Sequence, residues 1–183
     1  MNYEPVSQKH QQTIISIHEK LLDSGEGTRK YLNSVFSQRD PTGFVCIDKN
    51  EVAGYFLAES GISFTVSQPK LAEKLRKDTV NETVYTVSSL AVRDEYRRTG
   101  ISEELFALTL EEIRKKGGSR LLFEMWVHGD GHIPAIGFLK GLNKYTEYGY
   151  YSDFYKDAIE QQICCSICNG HCRCGAKIYL FNI

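Results

Sequence analysis

The stretch that most constrains this chain runs from Val84 to Lys116. Its first part, Val84–Val92, is rich in β-branched and apolar residues and predicts a buried strand. Residues 93–99 form a charged, turn-prone connection, and Ile101–Lys116 has the apolar periodicity of a helix, with Gly100 at the hinge. A second apolar strand follows the helix, so this part of the chain predicts a βαβ unit with parallel strands.

The turn before the helix predicts an anion-binding site. The first backbone N–H groups of a helix have no partner within it, and the helix dipole places partial positive charge at that end. Arg97 and Arg98 add full charges, and Gly100 lets a ligand approach the backbone because it has no Cβ. A phosphate or pyrophosphate is the expected ligand. The alternative is an ordinary strand–turn–helix with two solvated arginines.

The residues of this turn resemble the acyl-CoA signature of the GNAT acetyltransferase superfamily. That signature is Arg or Gln, any two residues, Gly, any residue, and then Gly or Ala, at the start of a helix that follows a strand. The matching residues here follow the strand end Ser-Ser-Leu-Ala-Val and are Arg97, Arg98, Thr99, Gly100, Ile101 and Ser102. Ser102 departs from the usual last residue, although it is small and carries a hydroxyl that suits a phosphate.

Hydrophobic periodicity predicts the remaining elements, with a break at residues 23–25. Strands are expected at Asn2–Ser7, Phe44–Ile47, Val52–Ser60, Val84–Val92, Arg120–Val127, Tyr145–Tyr155 and Ala176–Ile183. Helices are expected at Gln8–Leu22, Thr28–Phe36, Ser67–Lys77, Ile101–Lys116 and Pro134–Asn143. The resembled fold has the same order, which implies an α/β protein with a mixed, mostly antiparallel sheet, a splayed parallel strand pair and flanking helices. Residues 1–183 are expected to form a single domain.

Composition excludes several classes of protein. The chain has 183 residues and a formal net charge of −1, so no overall field favours nucleic acid or an anionic membrane. No apolar run approaches the roughly 20 residues that span a bilayer. The first residues lack the basic start and apolar segment of a signal peptide, so a cytoplasmic location is expected. The sequence does not indicate an oligomeric state.

The resemblance implies how acyl-CoA would bind. In the family the two parallel strands splay apart, and a bulge in the first frees backbone groups for the pantetheine arm. Carried onto this chain, Leu90 and Val92 would bond the pantetheine, and the backbone of Arg97–Ser102 would hold the pyrophosphate. The implied reaction is direct transfer of an acyl group, expected to be acetyl from acetyl-CoA, to an amine of an unidentified acceptor.

The sequence departs from the family at the catalytic residues. The family often has an Asn three residues before the Ala of the next helix. It often has a Tyr four residues after that Ala, and this Tyr acts as the general acid. Counted from Ala135, these positions are His132 and Leu139, so the tyrosine is missing. Tyr145 is the candidate acid, with His128 and His132 as alternatives. Purely structural roles for all three are the competing interpretation.

Glu124 is the candidate base. It lies within an otherwise apolar strand, where burial would raise its pKa and suit proton abstraction directly or through water. A hydrogen-bonded structural carboxylate is the alternative. Because the family tyrosine is absent, a second hypothesis stays open, namely a non-catalytic acyl-CoA-binding or regulatory module.

Five of the six cysteines lie between Cys164 and Cys174. Such a local cluster in a cytosolic chain indicates a metal before disulfides. The C-x-x-C and C-x-C pairs predict a structural zinc site with four thiolate ligands, and these are Cys165, Cys168, Cys172 and Cys174. His171 or Cys164 could substitute for one of them.

The zinc loop, residues 164–175, lies between the last two predicted strands, where a metal would staple the hairpin. GNAT-like bacterial proteins with a cysteine-rich C-terminal hairpin resemble this arrangement. A disulfide or redox pair and an iron–sulfur cluster are the competing interpretations. In the non-catalytic hypothesis the stapled hairpin would hold a protein partner.

Overall fold

A mixed β-sheet forms the centre of the protein in a computed structural model that describes residues 1–38, 41–139, 144–168 and 172–183. The strands are β1 (Asn2–Pro5), β2 (Asp23–Ser24), β3 (Thr42–Asp48), β4 (Glu51–Ser60), β5 (Val84–Val92), β6 (Arg120–Val127), β7 (Tyr145–Tyr151), β8 (Cys164–Cys165) and β9 (Gly175–Asn182). The helices are α1 (Gln11–Leu21), α2 (Glu26–Gln38), α3 (Pro69–Asp78), α4 (Ile101–Lys115) and α5 (Ile136–Leu139).

Seven of these strands form one sheet in the order β1-β3-β4-β5-β6-β9-β7. Every neighbouring pair is antiparallel except β5 and β6, which are parallel and joined by α4. The sheet therefore confirms the predicted mixed, mostly antiparallel α/β architecture with one parallel pair.

The parallel pair is joined at one end only. Pairing runs from Val84–Thr86 on β5 to Arg120–Leu122 on β6 and stops there. On its other side β5 pairs with β4 along its whole length, but the register shifts, because Leu57 pairs with Ser89 and Ala58 with Val87. This shift is a β-bulge, which bends a strand away from its neighbour. The two parallel strands consequently diverge, as the resemblance implied.

Helices cover both faces of the sheet. On one face α4 buries Ile101, Leu105 and Ile113 against sheet residues that include Phe56 and Phe123. On the other face α1 and α2 bury a second apolar cluster around β3, β4 and the end of β5. Each fully buried aliphatic side chain contributes about 1.5–3 kcal/mol, so both layers hold the diverging strands in place.

The segment between β7 and β9 departs from the prediction. The strand expected to reach Tyr155 ends at Tyr151, and turns follow it. Phe154, Ala158 and Ile163 from this segment are buried in a third apolar cluster with residues of α3 and β9. Alternating aromatic residues satisfy a strand pattern and a folded loop equally well, which is why periodicity overextended the strand. Residues 140–143 of the last predicted helix lie outside the described residues.

A short ladder ties the connection between α1 and α2 to the C-terminal segment. Asp23 pairs with Cys165 and Ser24 with Cys164. Beyond the ladder, the N–H of Gly27 donates to the carbonyl of Gln162 at 2.9 Å. The sequence predicted only a break at this place, because a two-residue strand has no periodicity to detect.

In the part of the chain that the structure describes, no helix has the length and apolar character needed to cross a membrane.

The close approach at Gly27 predicts a destabilising substitution. In Gly27→Ala the new Cβ would lie 1.9 Å from the carbonyl oxygen of Gln161, so the ladder segment must shift. We expect the free energy of unfolding to fall by about 1–3 kcal/mol, measured by thermal denaturation followed by circular dichroism. Gly137→Ala is the control, since a Cβ there meets nothing within 4 Å. Equal unfolding temperatures in the two variants would contradict a tightly closed ladder.

Candidate active site

The turn between β5 and α4 is built on two left-handed residues. Gly100 precedes α4 with φ of 83°, and Arg98 has φ of 62°. A Cβ on Gly100 would meet nothing within 4 Å, so the turn is open to solvent. The first N–H groups of a helix have no partner within it, and at an open turn such groups can bind an anion.

Side chains around this turn are mostly engaged with each other. Arg97 forms an ion pair with Asp94 at 2.8 Å, and 59% of its side chain is exposed. The Thr99 hydroxyl donates to the carbonyl of Tyr96 at 2.6 Å, and the Ser102 hydroxyl donates to Glu103 at 2.8 Å. The groups that remain for a phosphate are the backbone N–H groups and the charge of exposed Arg98.

A cavity of about 190 Å³ lies where β5 and β6 diverge. Leu90 and Val92 lie on β5 beyond its last pair with β6, and Leu90 lines the cavity. Part of the cavity wall is apolar and consists of Phe123, Met125 and Ala135. The cavity therefore occupies the position of a missing strand between β5 and β6.

Glu124 also lines this cavity, from β6. One of its carboxylate oxygens accepts a hydrogen bond from the Tyr155 hydroxyl, and the other accepts one from the N–H of Thr65 at 3.0 Å. Removal of water from around the carboxylate raises the pKa of Glu124 to about 7, although both hydrogen bonds lower it. The negative charge of Asp23 raises it slightly further.

Tyr155 is a cavity residue that sequence reasoning missed. Burial, followed by the charge of Glu124, raises the pKa of Tyr155 well above its ordinary value, so its hydroxyl stays protonated. The sequence assigned Tyr155 to the end of a strand and gave no signal that it would contact Glu124.

The other candidate acids do not line the cavity. Tyr145 lies on the edge strand β7 with 46% of its surface exposed, and its ring contacts Tyr179 and Phe181. His128 and His132 contact each other edge to face, with ring centroids 5.3 Å apart. Glu124 and Leu90 thus line the cavity, whereas the three candidate acids, Tyr145, His128 and His132, do not.

A buried polar chain borders the cavity on the side of α1. His18 Nδ1 lies 2.9 Å from Ser89 Oγ and 3.0 Å from the Tyr55 hydroxyl. His18 Nε2 lies 3.1 Å from Asp23 Oδ2, and the Thr28 hydroxyl donates to the other Asp23 oxygen. Sequence analysis did not single out these residues, because they come from five different elements.

The four predicted cysteine ligands converge. The sulfurs of Cys165, Cys168, Cys172 and Cys174 all lie within 4.8 Å of one another. Cys174 Sγ is 3.9 Å from Cys165 Sγ and 3.6 Å from Cys168 Sγ. A disulfide requires about 2.05 Å, whereas four thiolates at about 2.3 Å from a tetrahedral ion lie about 3.8 Å apart. The spacing therefore fits a four-coordinate metal.

Of the alternative ligands, Cys164 is exposed and outside the cluster, and His171 lies outside the described residues. Cys165 and Cys172 also line the cavity. The cluster is thus part of the cavity wall and does more than close a distant hairpin.

Comparison with solved structures shows the same fold. The ribosomal-protein-S18-alanine N-acetyltransferase of Escherichia coli has a TM-score of 0.66 at 15% identity, covering 100% of this chain and 93% of its own. NAA60 of Arabidopsis thaliana in complex with acetyl-CoA has a TM-score of 0.66 at 15% identity, covering 100% and 98%. The ribosomal-protein-alanine N-acetyltransferase of Brucella melitensis has a TM-score of 0.64 at 13% identity, covering 100% of both chains.

No curated protein sequence matches this chain significantly. The sequence profile described as the acetyltransferase (GNAT) family matches residues 12–143, which is most of the chain. With the diverging parallel strands and the open turn at Gly100, this match shows that the chain belongs to the GNAT family of N-acetyltransferases.

Proposed function

We propose that this protein transfers an acetyl group from acetyl-CoA to an amine, in a direct complex of enzyme and both substrates. The observation that carries the proposal is the cavity between β5 and β6, which is lined by a carboxylate with a pKa of about 7 and by the strand that leads to the open turn at Gly100. Because NAA60 crystallises with acetyl-CoA, that compound is the favoured donor.

Acetyl-CoA would lie along β5. The pantetheine arm would bond backbone groups of Leu90 and Val92, which have no partner strand on the side of β6. The pyrophosphate would lie on the backbone of Arg97–Ser102 at the start of α4. This placement would bring the thioester to the level of Ser89 and Glu124 in the cavity.

Glu124 would act as the general base, directly or through one water. A carboxylate with a pKa near the working pH exchanges protons efficiently, and the hydrogen bond from Tyr155 holds it in position. Backbone N–H groups beside the bulge of β5 would stabilise the developing oxyanion. Tyr145 stays a prediction as the acid, but its position on β7 does not support that role.

We also propose that the cysteine cluster holds a structural zinc ion on Cys165, Cys168, Cys172 and Cys174. With four thiolates the ion would have no open position, so its contribution is to cross-link the chain and not to take part in the reaction. A cytoplasmic setting, in which thiols stay reduced, would favour this occupancy.

The competing hypothesis, a module that binds acyl-CoA without turnover, uses the same turn and cavity. The two are separated by incubating the protein with acetyl-CoA and a panel of amines. Release of CoA that depends on the amine supports the enzyme, whereas binding without such release supports the module.

Substitution of Gly100 tests the phosphate site. In Gly100→Glu a carboxylate is added where the pyrophosphate would lie, so we expect calorimetric titration with acetyl-CoA to show at least a tenfold weaker affinity. Gly117→Glu is a matched control, because Gly117 is also left-handed and open but lies beyond the far end of α4, a helix of 15 residues that is about 22 Å long. Equal weakening in both variants would contradict a site at the Gly100 turn.

The pH dependence of transfer tests Glu124. A base must be deprotonated, so kcat/KM for the best amine should rise about tenfold per pH unit up to about pH 7 and then level off with respect to this group. Glu124→Gln should lower the rate by about 10²–10⁴-fold and remove the inflection. Glu147→Gln, on the exposed edge strand, should keep the wild-type profile. An unchanged inflection in Glu124→Gln would exclude Glu124 as the base.

Metal analysis tests the zinc site. We expect about one zinc ion per purified chain by plasma mass spectrometry, and none in Cys168→Ser. Loss of the cross-link should lower the unfolding temperature by about 4–8 °C if it costs about 2 kcal/mol. Cys164→Ser is the control, because its exposed thiol lies outside the cluster. Full zinc content in Cys168→Ser would contradict this ligand set.

A further inference from the structure

The polar chain beside the cavity has the order carboxylate, imidazole, hydroxyl. Asp23 from β2, His18 from α1 and Ser89 from β5 are linked by distances of 3.1 Å and 2.9 Å. His18 and Ser89 are 4% and 6% exposed, so water competes little for these contacts. Thr28 donates to the free oxygen of Asp23 and fixes its orientation. A nucleophile beside a base that a third group orients is the arrangement used in covalent catalysis.

The available donors determine which atom donates in each hydrogen bond of this chain. An ionised Asp23 only accepts, so His18 Nε2 must carry the hydrogen, and Nδ1 of the neutral ring is then an acceptor. Ser89 can donate to Nδ1, and the Tyr55 hydroxyl, 2.7 Å from Ser89 Oγ, can donate to Ser89 in turn. Burial raises the pKa of Tyr55, which keeps its hydroxyl protonated for that task. Each group in the chain has a compatible partner.

The hydroxyl lies where a thioester would arrive. Ser89 is adjacent to Leu90, the proposed pantetheine contact, and both line the cavity together with His18 and Asp23. Ser88, its neighbour at the bulge, instead directs its hydroxyl to Glu59 at 3.3 Å. Of these two consecutive serines, only Ser89 therefore contacts an imidazole.

We propose that Ser89 is a nucleophile and that the protein hydrolyses acetyl-CoA through an acetyl ester on Ser89 when no amine acceptor is bound. This inference rests on acetyl-CoA binding as described in the proposed function. It adds an activity, because direct transfer to an amine needs no covalent intermediate.

The hydrolysis proceeds in two stages through the Ser89 ester. Ser89 Oγ attacks the thioester carbonyl carbon and gives its proton to His18 Nδ1, while Asp23 stabilises the resulting imidazolium. The C–S bond breaks, and the thiolate takes the proton from His18 and leaves as CoA. Water then attacks the ester and gives a proton to His18, which returns it to Ser89 Oγ as the C–O bond breaks. The net reaction converts acetyl-CoA and water to CoA and acetic acid.

The experiment compares wild type, Ser89→Ala, Ser88→Ala and Ser89→Cys in the full chain without amine. Calorimetry first measures acetyl-CoA binding, and chromatography then measures release of CoA and acetate. We expect Ser89→Ala to bind acetyl-CoA but to lose hydrolysis by at least about a hundredfold, and Ser88→Ala to keep the wild-type rate. Ser89→Cys should accumulate an acetyl thioester at position 89, detected by peptide mass mapping and removed by neutral hydroxylamine. A purely structural Ser89 would not produce that adduct.

Three results overturn the inference. They are wild-type binding without hydrolysis, equal hydrolysis in Ser89→Ala and Ser88→Ala, and acetylation that maps to Cys165 or Cys172 with none at position 89 in Ser89→Cys. If the wild type does not bind acetyl-CoA, the proposed function fails as well, so the calorimetric arm separates the two failures.

Discussion

The divergence of β5 from β6 is the constraint on which the rest of this structure depends. Two parallel strands that pair at one end and part at the other leave backbone groups without ladder partners, and each such group costs about 1–3 kcal/mol if buried without a partner. The packed layers on both faces offset that cost, since α4 and the aromatic cluster around Phe123 hold one face and α1 with α2 hold the other. The gap is therefore an unoccupied strand position that the packing of its neighbours keeps open.

The site has opposite charge at its two ends. The turn at the start of α4 carries helix N–H groups and an exposed arginine, whereas the cavity contains Glu124 and Asp23. Among the described residues that line the cavity there is no lysine or arginine. The basic groups of the turn lie outside the cavity. A lysine beside Glu124 would lower the pKa of its carboxylate, and the carboxylate would then be a weaker base.

Local sequence patterns predicted the parts of the fold that depend on local interactions. Strands β5 and β6 have the expected bounds, because their apolar runs end in turn residues, and α4 ends one residue early. The four cysteines were predicted from spacing alone and do converge. The divergence of β5 from β6 was predicted from the family resemblance, because no hydrophobic periodicity indicates it. Contacts such as Tyr155 with Glu124, separated by 31 positions, and His18 with Ser89, separated by 71, are set by topology and were missed.

The parts of the site can form at different times, and the ladder between β2 and β8 forms late. The turn at Gly100 and both diverging strands lie within one contiguous stretch, Val84–Val127. The opposite wall needs Asp23 to meet Cys165, a closure across most of the chain that is slow to form and costly in entropy. During synthesis on the ribosome, Val84–Val127 therefore emerges before Cys165, the partner that Asp23 needs for this ladder. The cavity therefore has its complete wall only after the segment that contains β8 has been synthesised.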